Sequence, residues 1–286
     1  MDEANALLKT VLHDRHVAAG ARMGPWEGWD MPLDYGDADG EVAEVRARAG
    51  VFDISHLGRI RIRGDGAVDL LERLCTSDAA RQEDDTTAVT LLCNDAGCII
   101  DAGILIRLEN DWVLTCSSPG RQKVLEHVQA NAADFDVKVS DQTQNTTHIC
   151  VCGPEAARIL DAVLPEKVSS LPRGAAKIGS FVIARYIAAR TGFTNLWSLE
   201  VILPNMLAQQ AWSFITAKAG ANAIRPAGMT AREILRKEAS LPRRGSDFDD
   251  TTDPITAGLE RIVDFNHDFL GRDAILKIKQ ARGGPA

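Results

Sequence analysis

The chain has 286 residues, of which 45% are hydrophobic and 25% charged, and its formal net charge is −8. This mix is typical of a soluble globular protein, and the length favours two domains over one core. The acidic balance disfavours a broad nucleic-acid surface, which needs a basic face. No apolar run reaches the ~20 residues of a membrane span, so neither nucleic acid nor membrane is expected as a partner.

The N-terminus is a polar amphipathic stretch and not a secretory signal, which predicts a cytoplasmic location. The six cysteines form no CxxC pair, and no histidine lies at zinc-like spacing. Reduced core thiols are therefore predicted in preference to a metal site.

In chain order, apolar spacing predicts a helix over residues 3–19, an irregular Trp- and Gly-rich segment, and a short helix over 42–49. An alternating strand around Ile60 and Ile62 precedes a helix that Asp65 is expected to cap. Residues 93–105 then predict a hairpin about an Asn-Asp-Ala-Gly turn. Its second arm carries Asp101 in an apolar run, either as a site residue or facing water at a strand end.

Beyond the hairpin, residues 112–116 predict a strand, and helices are expected to begin near residues 118 and 153. Residues 177–191 and 196–203 predict two strands joined by a GFTN loop. A further helix is expected from Pro204 to about Gly220. The next helix begins at Met229, where Thr230 and Glu233 match a capping box.

That capping box places Arg232 in the first helical turn, where a cation opposes the helix dipole, so Arg232 is either a site residue or a solvated arginine. A last helix is predicted over residues 272–281. Strands and helices mix without strict βαβ alternation, which indicates an α+β fold. Nucleotide-binding and hydrolase motifs such as GxGxxG, the Walker loop, GxSxG and HExxH do not occur.

Six stretches resemble, in order and spacing, the motifs of the folate-binding aminomethyltransferase family, that of the glycine cleavage T-protein. The resemblance covers residues 15–276. The stretches are HVAAGARMGPWEGWDMPLDY, AGVFDISHLGRIRIRG, CNDAGCIIDAGIL, ARTGFTNLWSLEVIL, RPAGMTAREILRKEASLP and residues 253–275.

The resemblance implies an α+β fold in which a discontinuous folate-binding lobe, residues 1–50 and 140–276, surrounds an inserted ferredoxin-like α+β lobe, residues 51–139. Tetrahydrofolate is expected in a central channel, and residues 277–286 are expected to be a flexible tail. Family members usually carry a third, C-terminal barrel, which this chain is expected to lack. A partner protein or a second copy is an expected cover for the channel.

Several family positions are matched by residues of this chain. Glu200 stands where the family's glutamate binds the amino and ring N–H groups of the pterin, a fork that suits a carboxylate. Arg232 stands at the folate-site arginine. Arg190 is a weaker match, with packing or structural pairing as the alternative.

Other family positions carry different residues here. Ala102 occupies the position of the family's catalytic aspartate, the second of an Asp-Asp pair, and a methyl group cannot steer protonation. Its neighbour Asp101 is a candidate catalytic helper, although adjacent strand residues face opposite ways. Val89 replaces an aromatic residue, Ser117 an asparagine and Phe193 a tyrosine. The family's G-E-D-G loop reads NLWS at residues 195–198, so Trp197 would shape the donor side.

The resemblance supports three hypotheses. The first is a tetrahydrofolate-dependent one-carbon transferase of the aminomethyltransferase type, which as a demethylase would pass a methyl group from a small-molecule donor to folate. The second is a folate-binding protein or subunit without catalysis, which Ala102 favours. The third is a relative acting in iron–sulfur cluster repair, which ranks last because residues 240–249 contain no cysteine.

Overall fold

A computed structural model describes residues 6–109, 111–164, 167–181, 184–217 and 224–283. The chain divides into two compact units: unit 1 is residues 1–56 and 143–241, and unit 2 is residues 57–142 and 242–286. The domain boundaries predicted near residues 50 and 140 lie close to the observed boundaries at residues 56 and 142. Residues 242–276, however, belong to unit 2 and not to the first lobe as the sequence suggested.

Strands and helices are numbered here in chain order. The strands are β1 (Leu8–Lys9), β2 (Arg22–Trp26), β3 (Trp29–Asp34), β4 (Gly50–Asp53), β5 (Gly58–Arg63), β6 (Thr86–Cys93), β7 (Ile99–Leu108), β8 (Asp111–Cys116), β9 (Lys138–Asp141), β10 (Thr146–Cys152), β11 (Ala176–Phe181), β12 (Ala184–Ala189), β13 (Ser198–Pro204) and β14 (Arg225–Pro226). The helices are α1 (His13–Ala18), α2 (Ala38–Ala47), α3 (Ala67–Leu74), α4 (Arg121–Asn131), α5 (Ala156–Val163), α6 (Ala208–Thr216), α7 (Met229–Glu238) and α8 (Arg272–Ala281).

Unit 1 contains a six-stranded sheet in the order β11-β12-β13-β10-β4-β14 and a three-stranded sheet in the order β1-β3-β2. One face of the larger sheet forms the apolar core, where Val151, Leu199 and Leu203 pack with Ile159 and Trp212 of α5 and α6. Strand residues alternate between faces, so the residues between these apolar positions project from the opposite face. That second face carries the candidate site.

A buried polar network ties α1 to β4 within unit 1. His16 Nε2 and Thr10 Oγ1 lie 3.0 and 2.7 Å from Asp53 Oδ2, and Ser55 donates to Oδ1. The hydroxyl of Tyr35 lies 2.8 Å from the other ring nitrogen of His16. Burial acts to raise the pKa of Asp53, but these partners outweigh it and lower the pKa to about 2. The Asp53 carboxylate is therefore ionised, and both of its oxygens are hydrogen-bonded to residues of unit 1.

Unit 2 contains a five-stranded sheet in the order β6-β7-β8-β5-β9, antiparallel at every pairing. One face packs on α3 and α4 through residues such as Leu71 and Val124. A second apolar cluster joins the β6–β7 hairpin to the C-terminal segment; its buried members are Leu91, Cys93, Ile99, Phe248, Leu259, Val263, Phe269 and Ile275. This non-local packing is the reason that residues 242–276 belong to unit 2.

The mixed α+β class is confirmed. The predicted hairpin also forms: Asn94 Oδ1 accepts from the backbone N–H groups of Ala96 and Cys98, and Gly97 has φ +79°. The last helix has its predicted bounds, so residues 277–281, expected in a flexible tail, are helical. Residues 284–286 of that tail lie outside the described residues.

Three predicted local features differ. The Trp- and Gly-rich segment, expected to be irregular, contains the antiparallel pair of β2 and β3. Residues 8–9 form β1, paired in parallel with Trp29 and Asp30, where a helix over 3–19 was expected; residues 3–5 of that helix are not described. Residues 176–181 and 184–189 form two paired strands, where a single strand was expected. The helix beginning near Pro204 reaches Thr216, and its expected end at Gly220 falls outside the described residues.

Two expected helix caps are also absent. The cap of α3 is Gly66 without a side-chain bond, and not Asp65. The cap of α7 is Gly228, so Thr230 lies inside the first turn and Glu233 pairs with Arg236 at 2.8 Å. A Cβ on Gly228 would lie 2.3 Å from the carbonyl oxygen of Leu33, so only glycine fits at this cap position.

Candidate functional site

The candidate site of unit 1 is built around Glu200 in β13. β13 pairs with β10 so that Cys150 lies opposite Glu200 and Cys152 opposite Ser198. Val201 and Leu199 turn to the core, which places Glu200 on the other face. The side chain is nevertheless buried, with 5% of the residue exposed. A buried carboxylate of this kind needs polar partners.

Two side chains hold the carboxylate in place. Thr191 Oγ1 donates to Glu200 Oε1 at 2.8 Å, and His148 Nε2 lies 2.9 Å from Oε2. Burial acts to raise the pKa of Glu200, but the His148 ring, the Thr191 hydroxyl and the positive charge of Arg232 hold that pKa below its usual value. Glu200 is therefore a carboxylate at neutral pH, oriented from both sides.

Arg232 extends from the first turn of α7 and is half-buried. Its guanidinium carbon lies 4.0 Å from the centre of the Phe193 ring, a close cation–π contact. Its Nε atom is buried and has no hydrogen-bond partner among the described residues. The structure thus brings Glu200, Arg232 and Phe193 into one cluster and leaves a donor of Arg232 unused.

The loop that carries Phe193 is fixed by its neighbours. Thr194 has φ +71°, and its hydroxyl lies 3.4 Å from the Cys152 thiol. Arg190 donates to the carbonyl of Leu171 at 2.7 Å and lies over the Trp197 ring, 5.5 Å from its centre. Arg190 therefore has structural contacts, the alternative that the sequence left open.

Unit 2 holds the remaining predicted site residues, and Asp101 and Ser117 lie together. Asp101 is fully buried, which excludes the water-facing alternative. Its two oxygens accept from the backbone N–H groups of Ala102 and Ser117 at 2.9 and 2.8 Å. Ser117 Oγ accepts from the N–H of Gly120, the cap residue of α4. The Asp101 carboxylate thus anchors the loop that enters α4.

The pKa of Asp101 is raised to about 6 because the side chain is buried, although the Ser117 side chain and the two backbone N–H groups act in the opposite direction. The group is mostly ionised at neutral pH and becomes protonated in mildly acidic solution. Its oxygens are bonded to neighbouring backbone, so its contacts are those of a structural residue, while its catalytic role stays a prediction.

Ala102 and Val89 lie on the opposite face of the same sheet. Ala102 pairs with Leu91 and packs against the apolar cluster of the C-terminal segment, whereas Asp101 pairs with Leu92. Val89 is 51% exposed. Asp101 therefore does not occupy the place of an acidic group at position 102.

Sequence reasoning missed His148 and Ser198. The alternation in HICVC predicts that His148 and Cys150 share a strand face. The pairing partner of that strand is 50 residues further on, however, and no local signal specifies it. Within the described residues, no group of three His, Cys, Asp or Glu side chains is arranged to hold a metal ion. Among the described helices, none has the length and apolar character that crossing a membrane requires.

The two units define a mixed α+β protein whose first unit holds an oriented carboxylate beside an arginine. The family model described as the GCVT N-terminal domain matches residues 12–267. The chain is 34% identical over 277 residues to an aminomethyltransferase of Moorella thermoacetica, covering 96% of this chain and 76% of that protein. It is 32% identical over 273 residues to the aminomethyltransferase of Thermotoga neapolitana, covering 95% and 75%.

A solved structure agrees with these sequence matches. The glycine cleavage system aminomethyltransferase T from Bartonella henselae superposes with a TM-score of 0.88 at 30% identity, covering 98% of this chain and 76% of that one. The chain therefore belongs to the folate-binding aminomethyltransferase family, that of the glycine cleavage T-protein. The family resemblance read from the six motifs is confirmed.

Proposed function

We propose that this chain binds tetrahydrofolate and transfers a one-carbon unit to it, as a folate-dependent aminomethyl or methyl transferase. One observation carries the proposal: Glu200 is a buried, ionised carboxylate, and among the described residues only Thr191 and His148 bond to its oxygens. The relatives in Moorella and Thermotoga, named as aminomethyltransferases, supply the reaction class.

The acceptor capacity of Glu200 fits the pterin ring. A carboxylate offers about four lone-pair positions, and Thr191 and His148 take one on each oxygen. One position per oxygen is left for the amino and ring N–H groups of the pterin, which form a parallel pair of donors. Charge-assisted pairs of this kind are strong and geometrically selective.

Arg232 and Phe193 support the same ligand. The cation–π contact with Phe193 restricts the guanidinium of Arg232 before a ligand binds, so less conformational freedom is lost on binding. The Nε–H of Arg232, which no described residue accepts, is a donor for an oxygen or nitrogen acceptor of the ligand. Tetrahydrofolate supplies the nitrogen atoms that accept the one-carbon unit, and these residues bind and orient its ring.

The side chain at position 102 favours methyl transfer over aminomethyl transfer. The aminomethyl reaction builds a methylene bridge between N5 and N10 and releases ammonia, which calls for controlled protonation. Ala102 cannot exchange a proton. Methyl transfer builds no bridge: the heteroatom–methyl bond of the donor breaks, an N5–methyl bond forms, and the N5 proton leaves with the demethylated donor. A small molecule with an O- or S-methyl group is therefore the proposed donor.

Ala102 also favours a second candidate function, that of a folate-binding protein or subunit without catalysis. In that case Glu200 and Arg232 bind the ring and no one-carbon unit moves. A covering partner protein or second copy, and a cytoplasmic location, stay predictions of the sequence.

Product analysis separates these candidates. We expect the chain, given tetrahydrofolate and methylated donors, to yield 5-methyltetrahydrofolate, with no 5,10-methylene product from aminomethyl donors. Ala102→Asp is expected to introduce the methylene product. Ala102→Asn adds a side chain of the same size without the charge and is expected to give no methylene product. Folate binding without any product supports the non-catalytic candidate, and absence of folate binding contradicts both.

A further inference from the structure

A buried hydroxyl belongs to Ser198, two residues before Glu200 in the same strand. Ser198 begins β13 and is 1% exposed. Its Oγ atom has no hydrogen-bond partner among the described residues. Leaving a buried hydroxyl unpaired costs about 1–3 kcal/mol, so most buried hydroxyls in native proteins are bonded. A hydroxyl in this condition indicates a bonding partner outside the protein.

The position of Ser198 relates it to the ligand proposed for Glu200. The two residues are two apart in β13, so their side chains project from the same face, about 7 Å apart along the strand. The residue opposite Ser198 is Cys152, whose thiol is already in contact with the Thr194 hydroxyl. Burial raises the pKa of Cys152 to about 11, so this neighbour is an uncharged thiol.

Arg232 adds a second donor on the same face as Ser198. Arg232 reaches this face, since its positive charge acts to lower the pKa of both Glu200 and Cys152. Its Nε–H, like the Ser198 hydroxyl, lacks a protein partner among the described residues. The face therefore presents a carboxylate acceptor at Glu200 and unused donors around it.

This order of groups matches one edge of a heterocycle. A 2-amino-4-oxo ring presents two N–H donors, from its amino group and ring nitrogen, followed directly by a carbonyl acceptor. With the two N–H groups on Glu200, the carbonyl lies beside them along the same edge.

We propose that Ser198 is a specificity-determining residue, whose hydroxyl donates to the ring carbonyl next to the N–H pair bound by Glu200. This inference rests on the proposed function and extends it by naming the edge of the ring that the protein recognises, with its two N–H groups and its carbonyl. The family motif has glycine at the position of Ser198, so the hydroxyl is a contact that this chain adds.

The test uses the full chain and two probes, tetrahydrofolate and its 4-thioxo analogue. The analogue keeps both N–H donors but replaces the carbonyl oxygen by sulfur, a weak acceptor. Affinities are measured by titration of tryptophan fluorescence for the wild type, Ser198→Ala, Ser198→Thr and the control Ser213→Ala in α6. We expect the wild type to prefer the oxo ligand about tenfold, the value of one good hydrogen bond.

Ser198→Ala is expected to reduce this preference to less than threefold by weakening only the oxo ligand, and Ser198→Thr and Ser213→Ala to keep it. Ser198→Ala is also expected to unfold at the same temperature as the wild type or higher, because it removes an unpaired hydroxyl. If Ser198→Ala keeps the preference for the oxo ligand, or unfolds at a clearly lower temperature, the role of Ser198 is overturned and the proposed function is not. Absence of tetrahydrofolate binding to the wild type overturns the proposed function and this inference together.

Discussion

The two units each bury a carboxylate on a strand, and the two carboxylates differ in what surrounds them. Glu200 of unit 1 is held by the side chains of Thr191 and His148, and its pKa is lowered. Asp101 of unit 2 is held by the backbone of Ala102 and Ser117, and its pKa is raised to about 6. The hydrogen bonds from His148 and Thr191 and the positive charge of Arg232 keep Glu200 ionised, whereas burial dominates at Asp101.

The comparison teaches that burial of an acid does not by itself identify a binding site. Around Glu200, a hydroxyl and a guanidinium N–H have no protein partner among the described residues, so the fold leaves groups for a ligand. Around Asp101, both oxygens accept from backbone that leads into α4. One carboxylate is arranged for recognition, and the other holds a loop.

The largest expected effect is on stability, from Asp101→Ala. The change leaves the N–H groups of Ala102 and Ser117 without acceptors, which should lower the free energy of unfolding by about 3 kcal/mol. The matched control is Asp95→Ala in the exposed turn of the same hairpin, expected to change it by less than about 0.5 kcal/mol. Equal effects in urea unfolding would show that Asp101 does not anchor the loop.

The raised pKa of Asp101 predicts a pH dependence of stability. Between about pH 4 and pH 6 the folded state binds more protons at this group than the unfolded state, whose pKa is near 3.8. The contribution of Asp101 to stability therefore falls as pH rises through this window, by at most about 3 kcal/mol. Asp101→Asn does not titrate, so the difference between wild type and variant should change across that window and be constant above pH 7.

A flat difference from pH 4 to pH 7 would mean that Asp101 has an ordinary pKa. A difference that changes in the other direction would mean that its backbone bonds outweigh burial.

The next effect concerns binding in unit 1. Glu200→Gln keeps the size of the side chain but removes its charge, and it places an amide donor against the pterin N–H groups. We expect tetrahydrofolate affinity to fall by about 2 kcal/mol, roughly 30-fold. Glu155→Gln, a partly exposed acid of the same unit, is the control and should bind like the wild type. Unchanged affinity in Glu200→Gln would remove this residue from the site.

Sequence reasoning found features that local chemistry specifies. The hairpin at residues 93–105 follows from Asn94 and Gly97, and α8 follows from Gly271 and helical spacing. It missed features that depend on distant pairing. The pairing of β10 with β13 brings His148 to Glu200, and the apolar cluster joins residues 242–276 to unit 2. Strand register and long-range packing both depend on segments far apart in the chain, so no single stretch of sequence predicts them.

The candidate site shows the same division. Glu200 and Arg232 were identified by motif resemblance, and the structure brings them into one cluster with Phe193. The unpartnered hydroxyl of Ser198 was not foreseen, because burial and hydrogen-bond accounting need coordinates. A serine at a strand start is otherwise ordinary.

A crystal structure of the full chain with bound tetrahydrofolate tests the central claim most directly. The account predicts both oxygens of Glu200 within about 3 Å of the amino and ring nitrogens of the pterin. The Ser198 hydroxyl should lie at a similar distance from the ring carbonyl. A pterin bound elsewhere, with Glu200 still contacting only Thr191 and His148, would contradict it.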